Sequence, residues 1–513
     1  MTKLITKRLN VGVAGLLAAS LLGGCAQLEQ VQNYLMAEPA AVVIQRAQLA
    51  MGNAHINSLA YAASGMGTTF GQAYLPTSPW PKITYSNFTK HYDYANAAMS
   101  EEAARVRAEP TGGGAVPLMG TGEQKTSGRL SGDFAWNMTP APTAAPLAVD
   151  GRIHDLWTSP HGVLRAAANY PAQVSKVTIH GQELTTLGFT VPGRFSALVY
   201  INAQNLVAGV DSVMPSPVLG DTAVTTWYDD YKEFATPTGS VKFPSRIRQE
   251  MAGYSVLDVA VTDVQMNTPL EASVPDAVRN FKENVVATKA AETSGLGVWF
   301  LAGGSHNSVL IEMADHAVLV ESPLYDGRAL AVLAKAKELL PSKPVRYVVN
   351  SHHHFDHAGG LRTAAAAGLT LVTSSAAKPY FEHALANPNR LHPDALAAST
   401  AKWSIEGVEG KRVMTSAAIG ATSGSQRTIE IYEMKDSVHA QGFMMVYLPT
   451  EKILIEADAY TPGAPNAPTP TKPNDNNLNL ASNIQANGLQ VAQILPLHGR
   501  MVDVAEFNRA IGK

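Results

Sequence analysis

A chain of 513 residues is too long for one hydrophobic core and implies two domains or more. With 46% apolar residues, 16% charged residues and a formal charge of −3, it is globular and nearly neutral, which excludes nucleic-acid binding through bulk charge and gives no sign of a strongly acidic or basic partner. Cys25 is the only cysteine, so no internal disulfide can form, and packing must hold the fold, helped by metal if the sequence offers ligands.

Lys3, Lys7 and Arg8 precede an apolar run over residues 11–22 that is too short to cross a bilayer and is arranged as a secretory signal. The run ends in LLGGC, which resembles the lipobox of bacterial lipoproteins. The resemblance implies that residues 1–24 are removed, that Cys25 is lipidated, and that the exported protein is anchored to a membrane facing the periplasm. Ala26, where an aspartate often signals inner-membrane retention, points to the outer membrane.

Residues 25–285 read as an antiparallel β-rich domain. A stretch of helical character, PAAVVIQRAQLAMG, comes first. SVLDVAVTDVQMN then shows a clear alternation, with Leu257, Val259 and Val261 on one face and Asp258, Ala260 and Thr262 on the other, as in a half-buried strand. RFSALVYIN, LVAGVDSV, TTWYDDYKEF and SVKFPSRIRQ precede it at short intervals, separated by turn formers, which predicts a meander. PTGGGAVPLMGTG lacks the Lys-Ser/Thr ending of a phosphate loop and, with TPAPTAAPL, reads as surface loop. Segments of this domain, chiefly YDDYKEF, VKFPSRI and LDVAVTDVQMN, loosely resemble periplasmic lipoprotein carriers, half-open barrels that hold acyl chains.

Residues 286–513 read as a second domain, the pattern changing near Gly295. The strand-like runs SVLIEM and AVLVESP are followed by a helix, GRALAVLAKAKELL, and by a further strand, VRYVVN. Helices and the short strand LTLVTS continue this α/β pattern, and RTIEIYEM, FMMVYLP and KILIEAD add three strands in succession.

Directly after VRYVVN comes SHHHFDHAGG. In an extended segment alternate side chains share a face, so His352 and His354 point together while His353 and Phe355 point away. Asp356 and His357 fall where a helix begins, with Asp356 in the place of an N-cap, and Gly359 and Gly360 permit close backbone approach.

The spacing HxHxDH of His352, His354, Asp356 and His357 resembles the signature of the metallo-β-lactamase-fold hydrolases. The resemblance extends to SVHAQGFMMVYLPTEKILIEADAY, which supplies His439 and Asp458 around two strands, and to ILPLHGR, which supplies His498. It implies an αββα sandwich over residues 286–513 and a dinuclear centre held by His352, His354, Asp356, His357, His439, Asp458 and His498. Imidazole and carboxylate ligands favour two zinc ions, though iron or manganese suits the same set. The implied activity is hydrolysis of an ester, lactone, amide or related bond of a small-molecule substrate by a metal-bridging hydroxide, with Asp356 as the catalytic residue that orients it and accepts its proton. His353 is expected to pack or to hydrogen-bond behind the ligands, and His306, in GGSHNS, to border the site.

Two departures bear on substrate and support. No cation follows Asp458 until Lys472, which weakens the case for a penicillin-type substrate, and Glu321 stands in LVESP where the family usually has aspartate. No flavodoxin-like or nucleic-acid-binding extension follows His498, which disfavours the flavodiiron and RNA-processing branches. The carrier-like segments leave an alternative open, a lipid- or hydrophobe-binding lipoprotein whose metal site is vestigial or structural. A structural zinc site has four protein ligands and no open position, so seven ligands shared by two ions favour the enzyme.

Overall fold

The structure, a computed structural model, describes residues 38–52, 55–108, 122–138, 140–237, 239–290, 297–417, 426–465, 468 and 471–513. The leader, Cys25 and nearly all of PTGGGAVPLMGTG lie outside them.

The N-terminal sheet has thirteen antiparallel strands and consists of two meanders. The first runs through β1 (Ser58–Thr68), β2 (Lys82–Asp93), β3 (Ala98–Arg107), β4 (Gln124–Ser131), β5 (Phe134–Met138) and β6 (Pro142–Ala144). The second runs through β7 (Gln173–Ile179), β8 (Gln182–Val191), β9 (Phe195–Ile201), β10 (Val207–Ser216), β11 (Gly220–Thr236), β12 (Gly239–Met251) and β13 (Tyr254–Met266). They join where β1 pairs with β13, Leu59 opposite Met266. A register shift opposite Ala62 and Ala63 gives β13 an extra residue, so the buried positions pass from Val259 and Val261 to Val264 and Met266.

Helix α1 (Ala40–Met51) lies in the helical stretch read from the sequence. The chain between β6 and β7 contains two helices that the alternation argument does not foresee, α2 (Val149–Thr158) and α3 (Gly162–Asn169). Ile44 of α1, Leu156 of α2 and Leu164 of α3 share one core with Leu59, Phe88, Val199 and Phe243 of the sheet. These helices therefore cover one face of the sheet.

The remainder forms two sheets. The seven-stranded one has the order β14 (Val286–Lys289), β15 (Val298–Ala302), β16 (Ser308–Glu312), β17 (Ala317–Val320), β18 (Val345–Val349), β19 (Thr370–Ser374) and β20 (Ser404–Val408), antiparallel up to β17 and parallel beyond it. The six-stranded one has the order β21 (Lys411–Ala417), β22 (Gln426–Glu433), β23 (Met444–Leu448), β24 (Ile453–Glu456), β25 (Gln493–Pro496) and β26 (Val502–Asp503).

A shared core joins the sheets, with Val309, Val318 and Val349 from the first and Ile431, Val446 and Ile455 from the second. The opposite face of the first sheet, carrying Leu310, Leu319 and Val348, packs on α4 (Asp326–Leu339), α6 (Leu361–Ala366) and α7 (Lys378–Ala386), with the one-turn helix α5 (Phe355–Ala358) just before α6. Strands covered on both sides read as continuous apolar runs, as AVLV of β17 does. The second sheet is capped by α8 (Asp475–Ala486) and α9 (Val504–Ala510), which send Leu480 and Phe507 into the shared core. Glu321, residues 350–357, Asp458 and His498 all follow the carboxyl ends of strands, β17, β18, β24 and β25 respectively, where open α/β sheets usually bind ligands.

Candidate metal centre

The chain leaves β18 at Val349, turns through Asn350 and Ser351, and enters α5 with His354 at the N-cap. Asp356 is thus inside the first turn and not the N-cap expected from the sequence. Its carboxylate faces His306 and Gln72 rather than the helix's own N–H groups. Gly359 and Gly360 allow the close approach expected of them. A side chain on Gly359 would strike the Leu324 carbonyl, and one on Gly360 would come 2.7 Å from the Ser322 carbonyl.

His352, His354 and His439 form the first group. Nε2 of His352 is 2.8 Å from Nδ1 of His354, and Nε2 of His439 is 3.2 and 3.1 Å from these two atoms. Proton bookkeeping shows what the nitrogens carry. Ser351 Oγ donates to Glu321 at 2.5 Å, so it accepts from His352 Nδ1 at 3.0 Å and leaves a lone pair on Nε2. His354 Nε2 is 2.9 Å from the carbonyl of Ala73, which can only accept, so Nδ1 of His354 is also a bare lone pair. Burial, followed by the neighbouring imidazoles, holds both rings well below the usual histidine range and so neutral. Two lone pairs 2.8 Å apart in a buried site repel each other, and a cation between them reverses the sign.

The second group contains His306, Asp356, His357 and His498, with Asp458 set between the two groups. Nε2 of His357 is 3.1 Å from Nε2 of His498 and 2.8 Å from Oδ2 of Asp458. The same Oδ2 is 3.4 Å from Nε2 of both His352 and His439, while Oδ1 is 3.1 Å from His498. Burial alone would lower the His357 pKa, but Asp458 and Asp356 outweigh it and hold the ring well above the usual range. The field that favours a proton on Nε2 equally favours a metal cation there. Burial would raise the Asp458 carboxyl, and the imidazoles of His439, His357 and His498 hold it far below its ordinary value instead.

Glu321 supports both groups. Its carboxylate accepts from Ser351 Oγ, from Asn350 Nδ2 at 3.1 Å and from His357 Nδ1 at 2.9 Å. The longer side chain at the usual aspartate position thus still orients the imidazoles, from a backbone at φ 72°, a conformation that non-glycine residues seldom adopt.

All seven residues singled out in the sequence therefore lie in one cluster. His306 joins them, with Nε2 3.0 Å from Asp356 Oδ2 and Nδ1 2.8 Å from Ser305 Oγ, so it belongs to the second group and not merely to its border. Three participants carried no signal in the sequence. Gln72 Nε2 donates to Asp356 Oδ1 at 2.8 Å, the Ala73 carbonyl accepts from His353 and His354, and the Gly71 carbonyl accepts from the Phe355 N–H at 3.3 Å. These residues are some 280 positions from the histidine cluster and lie in the connection between β1 and β2 of the N-terminal sheet.

Residues 301–464 match the family model of the metallo-beta-lactamase superfamily. Among solved structures, a metallo-beta-lactamase from Pontibacter korlensis shares 20% identity over 45% of this chain and 98% of its own, with a TM-score of 0.33. The FIM-1 metallo-beta-lactamase from Pseudomonas aeruginosa, in its mono-zinc form, shares 18% over 45% and 94%, with a TM-score of 0.32. A flavo di-iron protein from Thermotoga maritima shares 12% over 44% and 60%, with a TM-score of 0.33. No curated protein matches the chain.

Proposed function

We propose that the protein is a metal-dependent hydrolase with a dinuclear centre, zinc being the cofactor that the imidazole and carboxylate set fits best. The observation that carries this reading is the pair of lone pairs on His352 and His354, completed by His439, which a cation reconciles. In it, His352, His354 and His439 hold one ion, Asp356, His357 and His498 hold the other, and Asp458 faces both. Two such ions would supply a water of lowered pKa and polarise the bond under attack.

The chain's own part is to position and to move protons. Asp356 is the most solvent-accessible member of the cluster, its side chain 20% exposed against 11% for His498 and none for His352 and His357. It orients the attacking water, accepts its proton and can return that proton to the leaving group. Glu321 and Ser351 fix the imidazoles so that their lone pairs converge without rearrangement. The substrate is a small molecule with an ester, lactone, amide, phosphate or sulfate bond. The fold alone does not choose among these.

The proposal includes the N-terminal address. The mature protein begins at a lipidated Cys25 and is held at the periplasmic side of a membrane, the outer one in a two-membrane bacterium. Cys25→Ser should release it into the soluble fraction.

The deciding experiment is elemental analysis of the purified protein, together with a panel of chromogenic substrates assayed with and without chelator. About two transition-metal ions per chain and a chelator-sensitive hydrolysis are expected. Absence of bound metal after zinc loading removes the basis of the reading, and hydrolysis that survives complete metal removal refutes it.

A further inference from the structure

The connection between β1 and β2, residues 69–81, belongs by chain and by sheet to the N-terminal domain, yet it lies on the metal centre. Its contacts with the HxHxDH segment are successive and specific. The carbonyl of Gly71 accepts from the Phe355 N–H, Gln72 donates to Asp356, and the carbonyl of Ala73 accepts from both His353 Nε2, at 2.8 Å, and His354 Nε2, at 2.9 Å. Further along, the Tyr74 hydroxyl donates to the Ser437 carbonyl at 3.0 Å and the Tyr74 carbonyl accepts from the Gln441 N–H at 2.8 Å, one contact on each side of His439. Trp80 packs edge-on against Phe355, with ring centroids 5.7 Å apart.

Two features show that this loop is fitted to the centre. Gly71 has φ +67°, and a Cβ there would collide with the Phe355 ring, so only glycine lets the backbone lie this close. Gln72 is buried, 6% exposed. The carboxylate of Asp356 can only accept, so the amide nitrogen of Gln72 must face it, which leaves the carbonyl Oε1 buried with no donor among the described residues. A buried acceptor without a donor is a cost that folds rarely leave in place away from a working site.

We propose that the N-terminal domain completes the metal centre. Gln72 is a positioning residue that fixes the Asp356 carboxylate through Nε2 and presents Oε1 to a donor brought in with the ion or the substrate, a water or an N–H or O–H group. The Ala73 carbonyl fixes the tautomer of His354, so that its Nδ1 is free to bind. Docking of the loop and binding of metal are then linked, each strengthening the other by the same factor. This inference rests on the metal-centre reading, and the experiment separates their failures.

Zinc affinity of the full-length chain is measured by competition with a chromophoric chelator, and the cobalt(II) form is followed by its visible absorption. Gln72→Ala should weaken the ion beside Asp356 by roughly 10- to 100-fold, the usual effect of removing an outer-shell partner. It should alter the cobalt spectrum while leaving the other ion within roughly 3-fold. Gln72→Glu, which sets a carboxylate against Asp356, should be no better than alanine. Gly71→Ala should lift the loop and weaken both ions. Thermal unfolding of the metal-free proteins separates a positioning role from a structural one. Metal-free Gln72→Ala should melt with the wild type, and only the increment added by zinc should shrink. Equal losses with and without zinc, or unchanged affinity and spectrum in the variants of a wild type that binds metal, overturn the inference. A wild type that binds no metal overturns both readings.

Discussion

His154, on helix α2, and His161, at the N-cap of α3, both packed against the N-terminal sheet, and His352 and His354, at the carboxyl end of β18, are all buried and all kept neutral, yet they are partnered in opposite ways. Burial lowers His154 and His161 to about 4. His154 Nε2 lies 2.7 Å from Ser212 Oγ, which itself donates to the Val224 carbonyl and so accepts from the ring, and His161 Nε2 lies 3.3 Å from the Met51 carbonyl. Donor meets acceptor in both. Lys90 follows the same rule: burial disfavours its charge, but Asp155 and Glu101 outweigh that and keep it an ammonium. Between His352 Nε2 and His354 Nδ1, acceptor meets acceptor. Burial and a depressed pKa are therefore common to both regions, and what separates a ligand set from a structural histidine is where the lone pairs point.

That comparison is broken most directly at Asp458. Asp458→Ala removes the carboxylate set between the two groups, so elemental analysis should show both ions disturbed and the metal content well below the wild-type value. His354→Ala should lose at least one ion. Unchanged stoichiometry in Asp458→Ala would mean that the two groups do not share a carboxylate.

Asp356→Asn sharpens it by keeping shape and one oxygen while removing the charge and the proton acceptor. We expect kcat to fall by roughly 10²-fold or more, the scale of a general base, with the fold retained. If kcat and metal content both stay at the wild-type level, Asp356 takes no part in the chemistry. His306→Ala should cost less, since His306 touches the second group through the Oδ2 of Asp356. A loss of roughly 10-fold in affinity for that ion, with the first ion unaffected, is the expected result of chelator competition.

The parts of the site legible in the sequence are those in which local geometry does the placing. HxHxDH sets ligands by the two-residue period of extended chain and the first turn of a helix, and His439, Asp458 and His498 sit beside recognisable strands. The N-cap reading of Asp356 failed because its carboxylate has stronger partners in His306 and Gln72 than the helix's own N–H groups. Helices α2 and α3 were illegible because, at ten and eight residues, they are too short to be stable alone; Ile153, Leu156, Val163 and Leu164 hold them through tertiary burial against the sheet. Ala73 gave no signal because a backbone carbonyl contributes to a site without any sequence requirement at its own position, and Gly71 and Gln72 gave none because the partners that require them are some 280 residues away in the chain.

The smallest effect is expected on the N-terminal side, where His154→Gln retains a side-chain donor for Ser212 but removes the titrating ring. In wild type the unfolded chain gains a proton on His154 below about pH 6.5, whereas the folded ring, at about 4, does not, so stability falls as pH drops through this window. At pH 5 the difference amounts to about 2 kcal/mol relative to pH 7. Denaturant unfolding with chelator present should therefore show the gap between pH 7 and pH 5 narrowed by about that amount in His154→Gln, while stability at pH 7 drops by about 1–3 kcal/mol through lost packing against Phe195. Zinc content should be unchanged. An unaltered pH gap would show that the ring is not held neutral by burial, and a fall in zinc content would tie a histidine of helix α2 to the metal centre and undo the distinction between the two regions.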